Sequence, residues 1–242
     1  MAGLWQNLSS QFNTAFIVDN RWRYILQGLE NTLILTFFAL ILGVVLGVVV
    51  AAVRSSWDRV AHTLNRGPAK LVFRFANWVC NLYLTVIRGT PVMVQILIIF
   101  FIIMAMSTNK MLCGIIAFGI NSGAYVAEII RGGIMSIDIG QTEAGRSLGF
   151  NYMQTMRFIV LPQAFKNILP SLANEFIVLL KETAIAGFVG VTELTRGANI
   201  IRGVTYQSLF PLVAVALIYL VLVLFFTWLV GKLERRLRAS ER

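Results

Sequence analysis

The chain has 242 residues, 57% of them hydrophobic and only 13% charged, and its mean hydropathy is +0.76. A soluble domain carries about twice that charged fraction, which argues against a single water-soluble domain, disorder, collagen or a disulfide-stapled module. The net charge of +10 sits mostly between apolar blocks, with no basic–aromatic RNA-binding motif. That is the pattern of a membrane protein, not of a nucleic-acid binder.

Residues 1–24 precede the first long apolar block. No positive charge occurs before Arg21, and no small-residue cleavage site follows a short apolar core, so the segment does not read as a cleavable signal. Leu4, Trp5, Leu8, Phe12 and Phe16 recur at helical spacing. Residues 4–17 form either an amphipathic helix on the outer surface or a loosely ordered tail.

A membrane span needs about 20 mainly apolar residues. Five segments qualify: 29–53, 91–106, 111–130, 168–189 and 209–230. Segment 69–90 is also apolar but is interrupted by Arg74, Asn77, Asn81 and Arg88. It reads as an interfacial or tilted helix leading into the second span, with a sixth span as the alternative. In the first span, Ala39, Gly43, Gly47 and Ala51 recur every four residues and put small side chains on one face. Such a face serves close packing within the chain or a subunit interface. Cys80 and Cys113 have apolar neighbours and no metal-ligand spacing, so both read as structural filler. His62 stands alone in a basic loop and reads as a surface residue.

Charge segregation gives the orientation. Arg54, Arg59, Arg66 and Lys70 follow the first span; Arg131, Arg146, Arg157 and Lys166 follow the third; Lys232, Arg235, Arg236, Arg238 and Arg242 end the chain. The alternate connections hold only Arg21, Arg23, Lys110, Arg196 and Arg202. Thirteen basic residues against five place the N-terminus outside and the C-terminus inside, consistent with an odd number of spans.

Ionisable groups at membrane depth often mark a pathway. The fourth span contains Asn174, Glu175, Lys181 and Glu182. Positions 174, 178, 181 and 185 share a helical stripe, with 175 and 182 beside it. Lys181 and Glu182 offer the two signs of charge that a zwitterion needs; the competing reading is an ion pair satisfied within the protein. In the third span, Asn121, Tyr125 and Glu128 share a face, and Glu128 lies three residues from Arg131, close enough to pair with it. Asn31, Thr32 and Thr36 either meet the pathway or bond to backbone.

The loop between the third and fourth spans is the most informative segment. It runs from Ile139 through Gly149 to Pro162. Gly149 suits the left-handed residue that ends a helix. Asn151 and Gln154 have the spacing of a capping box that opens the next. Pro162 is expected to limit or kink that second helix. Two short helices at an angle would make a knob on the inner side, suited to docking a soluble partner.

Glu143-Ala144-Gly145, Gly149, Ile159 and Leu161-Pro162 resemble the EAA motif of membrane subunits of bacterial ATP-binding-cassette (ABC) importers. Gly145 replaces the usual second Ala, at a cost of about 1 kcal/mol in an exposed helix interior. Arg88-Gly-Thr-Pro91 with Gln95, Asn121–Glu128, Arg131-Gly-Gly133, Leu161–Ala164 and Leu180–Thr183 resemble the polar amino-acid branch of these permeases. Ser107–Lys110 is a shorter link than is usual there. The resemblance covers residues 25–235 and implies an all-α permease fold of the type I importers.

It also implies a division of labour. Residues 1–24 would lie outside, 25–235 would form the permease domain with its coupling loop at 136–165, and 236–242 would be a basic inner tail. Glu143, Ala144, Gly145, Gly149, Leu161 and Pro162 would engage the ATPase. The expected partners are two ATPase subunits, an external amino-acid-binding protein, a second permease, identical or homologous, and lipid. The chain has no G-x-x-x-x-G-K-[ST] loop, so ATP and magnesium would bind the partner ATPase and no cofactor would bind here.

Two other classes compete. An intramembrane enzyme would need a nucleophile–base pair or metal ligands, and no His/Asp/Glu metal cluster is present in the spans. A passive channel would show a filter-like loop and have no use for a docking knob. Co-purification of an ATPase discriminates the importer from both.

Overall fold

A computed structural model describes residues 2–60 and 67–239; His62 and residues 240–242 lie outside the described residues, as do the side chains of Leu4 and Trp5. All regular structure among the described residues is helical. The N-terminal helix α1 (Ala2–Phe12) passes through a π turn (Asn13–Ile17) and a short 3-10 turn into α2 (Trp22–Val60). Helix α3 (Pro68–Gly89) is followed after a sharp bend by α4 (Val92–Ile98), which ends in a π turn at Ile99–Ile103. Then come α5 (Lys110–Met135), the short helices α6 (Ile139–Ser147) and α7 (Tyr152–Thr155), and α8 (Leu161–Glu182). A 3-10 segment (Thr183–Val189), α9 (Leu194–Thr205) and α10 (Leu209–Ala239) complete the chain.

Among the described residues, three helical stretches are long and apolar enough to cross a membrane: Trp22–Asp58, Lys110–Met135 and Leu209–Leu237. The pair Lys70–Gly89 and Val92–Ile103, bent by 113°, raises the number to four if it is one broken span. The expected second span, 91–106, is thus reduced to 7 residues of α-helix and a 5-residue π turn. That is too short to cross about 30 Å of hydrocarbon by itself. Helix α8 has 22 residues but contains Lys166, Glu175, Lys181 and Glu182, and is not among the apolar helices. The expected fourth span, 168–189, also loses its α-helical form after Glu182.

The small-residue face of α2 is used inside the chain. A Cβ on Gly43 would lie 3.1 Å from the Ser122 side chain, and one on Gly47 would lie 2.5 Å from Val126 Cγ1 and 2.9 Å from the Ala127 nitrogen. The fit is reciprocal, because a Cβ on Gly119 would lie 2.6 Å from Leu42 and one on Gly123 3.0 Å from Leu46. Ala39 and Ala51, on the same stripe, are buried. Missing side chains let the two backbones approach, which is how membrane helices gain dispersion contacts where lipid is as apolar as the partner helix.

The main apolar cluster joins Leu35 and Ala39 of α2, Ile96 of α4, Phe118 of α5 and Leu179 of α8; Cys113 lies in it as a buried free thiol. A second cluster joins Ala15, Phe16, Ile25, Ala198, Ile201 and Val215. The N-terminal segment is therefore helical and seated on the bundle, with Phe12 edge-on to Phe210 at 5.9 Å.

Replacing Gly47 with Leu should overpack the α2–α5 contact and destabilise the protein by about 1–3 kcal/mol. The thermal midpoint in detergent should fall, while Gly231→Ala, with nothing within 4 Å of its Cβ, should leave it nearly unchanged.

Candidate functional site

The loop between α5 and α8 builds its knob by local chemistry. Asp138 caps α6, its carboxylate accepting from Gly140 N at 2.7 Å. The other end closes as a Schellman motif: Gly149 N donates to Arg146 O at 2.9 Å and Phe150 N to Gly145 O at 3.1 Å. Gly149 has φ +82°, the left-handed conformation that favours glycine. Asn151 and Gln154 form a full capping box, each side chain accepting from the other's backbone N–H at 2.9 Å.

Pro162 does not end the following helix. Residues 152–182 run on helically, with a π turn at Met156–Val160 immediately before the proline. Proline lacks an N–H and its ring crowds the carbonyl four residues back, here that of Phe158. The wider π turn relieves that crowding at the point where it arises.

Gly145 is buried rather than exposed, which corrects the expected helix weakening at this position. A Cβ there would stand 2.8 Å from Thr155 Cγ2 and 3.0 Å from Ile159 Cδ1. The glycine instead permits α6 to close on the α7 turn. Ala144, Glu143, Leu148, Gly149, Met153 and Leu161 are exposed, as are Arg146 and Arg157, so the knob's surface is apolar with charges of both signs. A groove of about 420 Å³ beside Glu143 is lined by Ile134, Met135, Ile139, Thr142 and Arg146. Polar contacts fix the knob to the bundle: Asn167 donates to Ser136 at 2.9 Å and Gln163 to Gln141 at 3.2 Å.

On α8, Asn174, Val178 and Lys181 form an exposed stripe, with Glu175 and Glu182 half-buried beside it. Glu175 accepts from Ser122 of α5 at 2.8 Å. The four polar residues of α8 lie along one side of the helix, but the two expected contributors from α5 do different things. Asn121 is buried and donates to Gln95 at 2.9 Å, whereas Tyr125 is exposed. Gln95 in turn donates to Ile87 O at 2.7 Å and to Thr90 Oγ1 at 2.8 Å. That brace serves carbonyls left without helical partners at the α3–α4 bend, where Pro91 supplies no N–H.

The alternatives for the remaining polar residues resolve toward structure. Thr36 donates to Thr32 O, Thr32 Oγ1 accepts from Leu194 N, and Asn31 donates to Thr192 O. Glu128 pairs with Arg131 at 3.7 Å and with Arg88 at 3.5 Å. A buried carboxylate was not anticipated: Glu193 is wholly buried and caps α9, accepting from Thr195 N and Arg196 N at 2.6 Å each. Tyr219 Oη donates to it at 3.4 Å. Its signal was an acidic residue just before a new amphipathic run, at the N-cap position. Among the described residues no group of three His, Cys, Asp or Glu side chains stands close enough to hold a metal ion.

Residues 67–239 match the family model described as binding-protein-dependent transport system inner membrane component. The chain belongs to that family. It is 37% identical over 221 residues to the Bacillus subtilis arginine transport system permease protein ArtQ, covering 90% of this chain and 94% of that one. It is 34% identical over 223 residues to the glutamine permease protein GlnP of Escherichia coli K12, covering 88% and 93%. A crystal structure of an amino acid ABC transporter with histidines matches with a TM-score of 0.79 at 41% identity, covering 91% of this chain and 98% of that chain. Inward-facing MetNI methionine ABC transporter, at 19% identity and a TM-score of 0.72 over 88% and 95% of the two chains, shares the fold.

The EAA resemblance is therefore borne out. The chain is a multi-pass inner-membrane permease component of an ABC importer, a transport component rather than a catalyst. The enzyme and passive-channel readings fall with that membership.

The Gly145–Thr155 contact makes a double-mutant test. Gly145→Ala should lower the thermal midpoint, and adding Thr155→Ala should recover most of the loss. A coupling of about 0.5–3 kcal/mol is expected for side chains in contact.

Proposed function

We propose that this chain is the permease subunit of an importer for polar amino acids, driven by two ATPase subunits that bind its knob and fed by an external binding protein. The carrying observation is that helical structure continues, through the π turn at Met156–Val160, from the capping box at Asn151 to Lys181 and Glu182. One continuous element thus joins a partner-facing surface to the charged stripe of α8. The named relatives handle arginine and glutamine, and the solved amino acid transporter contains histidines, all polar amino acids.

Lys181 would meet the substrate carboxylate, and Glu182 and Glu175 its ammonium groups, with Asn174 and Tyr125 orienting it. Asn121 would contribute by holding Gln95 and through it α4. Glu143 and Ala144 would anchor the ATPase, while Gly145, Gly149, Leu161 and Pro162 shape the surface. ATP and magnesium would act on the ATPase. A second permease, identical or homologous, would complete the pathway.

Five crossings fit this reading, with α4 and residues 99–109 beyond it as the second, entered from α3 at the inner face, and α8, shielded inside the assembly, as the fourth. Residues 1–24 would lie outside, 25–235 would form the permease domain with its coupling loop at 136–165, and 236–242 would be an inner tail. The segregated basic residues support this orientation.

Orientation is checked by single-cysteine labelling in a cysteine-free background. Asn20→Cys and Thr195→Cys should react from outside in intact cells, Thr142→Cys only after permeabilisation. Reaction of the Asn20 site from inside alone would reverse the map.

Function is checked by uptake in vesicles containing the permease, ATPase and binding protein, over a panel of amino acids. Lys181→Met and Glu182→Gln should cut uptake at least ten-fold, equivalent to about 1.4 kcal/mol, while purified yield and basal ATPase activity survive. Glu143→Lys should uncouple substrate-stimulated ATPase activity. Normal uptake in both α8 variants would remove those residues from the pathway.

A further inference from the structure

Helix α3 divides into three sectors around its axis. Tyr83, Leu84 and Ile87 face the bundle, packing with Val50, Ala124 and Ala127, and Tyr83 donates to Ile120 O at 2.5 Å. Leu71, Val72, Phe75, Trp78, Leu82 and Val86 lie on a second sector and are 47% to 69% exposed. Between these two runs a polar sector of Lys70, Arg74, Asn77, Asn81 and Arg88, at helical spacings of four, three, four and seven. A helix whose outward side is half apolar and half polar suits neither bulk water nor the hydrocarbon centre. It suits the boundary between them.

Two further observations place α3 at that boundary. Its axis turns by 113° into α4, so the two do not form one straight crossing. Its first turns pack against the inner end of α2, with Phe73 and Trp57 at 5.4 Å between ring centroids. The helix contains no Asp or Glu. Arg88 is matched by Glu128, but Arg74 is exposed and has no ion-pair partner among the described residues. Arg74 adjoins Trp78 at the edge of the apolar sector, where guanidinium and indole would both reach headgroup level.

We propose that α3 is an interfacial helix that seats anionic phospholipid of the inner leaflet, its apolar sector among the acyl chains and Arg74, within the field of Lys70, on the lipid phosphate. This rests on the orientation proposed above. Charge complementarity commits the face to lipid: an uncompensated guanidinium borders a continuous apolar strip on a helix without a carboxylate. A second protein chain on that strip is the outcome the test must separate.

The assembled complex is purified into nanodiscs of phosphatidylcholine, alone or mixed with phosphatidylglycerol. Lipid retention is read by native mass spectrometry. Arg74→Gln should lower phosphatidylglycerol retention about five-fold, the effect of one basic residue near an anionic surface, and Arg74→Lys should keep it. Arg202→Gln, at the opposite end of the molecule, should change nothing. A nitroxide at Phe75→Cys, with Cys80 and Cys113 replaced by Ser, should be accessible to oxygen and lie about 5–10 Å below the headgroups. Unchanged retention in Arg74→Gln, or an equal loss in Arg202→Gln, would overturn the proposal. A nitroxide shielded from oxygen would do the same in favour of a protein neighbour. Retention is measured without transport, so a failure of uptake in every lipid would count against the permease reading alone.

Discussion

The close approach of α2 to α5 is the constraint on which the other contacts depend. Gly43, Gly47, Gly119 and Gly123 remove side chains on both sides of one seam. The seam does more than pack. The room at Gly43 is taken by Ser122, and Ser122 reaches across to Glu175 of α8. The residue before it, Asn121, holds Gln95 of α4. With a larger residue at 43 or 47, α5 would be displaced and both polar links would be drawn out of hydrogen-bond range together. The glycines therefore set the positions of α4 and α8 as well as of their own helices.

Polar groups within the bundle fall into two populations. Thr32, Thr36, Gln95, Asn121, Ser122 and Glu193 are buried, and each is committed to a named partner within the chain. Thr32, Gln95 and Glu193 serve backbone groups released at a bend or a helix start, which hydrocarbon cannot satisfy, whereas Asn121 and Ser122 bond other side chains and Thr36 a carbonyl within α2. Asn174, Tyr125 and Lys181 are exposed instead. The contrast separates polar groups committed inside the chain from polar groups left open to contact more sharply than polarity alone.

What the sequence revealed follows the range of the interaction. The left-handed Gly149 and the Asn151–Gln154 box are decided within three or four residues, and the local pattern predicted both. The small-residue face of α2 was visible, but its partner was not, since Ser122 and Val126 lie far along the chain. The Ser122–Glu175 and Tyr219–Glu193 contacts span 53 and 26 residues and left no periodic signal. The second span was overestimated because hydropathy counts apolar residues without registering direction: 91–106 is apolar, yet its helix stops at Ile103 and turns sharply from α3. Pro162 was expected to limit or kink its helix, and it stands in the first turn of α8, just after the π turn at Met156–Val160. A proline's effect depends on whether the preceding turn can widen, and composition does not report that.

The unbroken helix from Tyr152 to Glu182 has a mechanical consequence. Its length is roughly 45 Å, and Ile168 stands near its midpoint. There the absent side chain of Gly133 lets Ile168 press directly onto α5. A rod held near its middle behaves as a seesaw, and Pro162 and Pro170 mark the points at which this one can bend. Drawing the knob to one side would swing the Lys181 end to the other. A shift of a few ångströms at the knob would then arrive at the charged stripe with its direction reversed, reduced by whatever bend the prolines absorb.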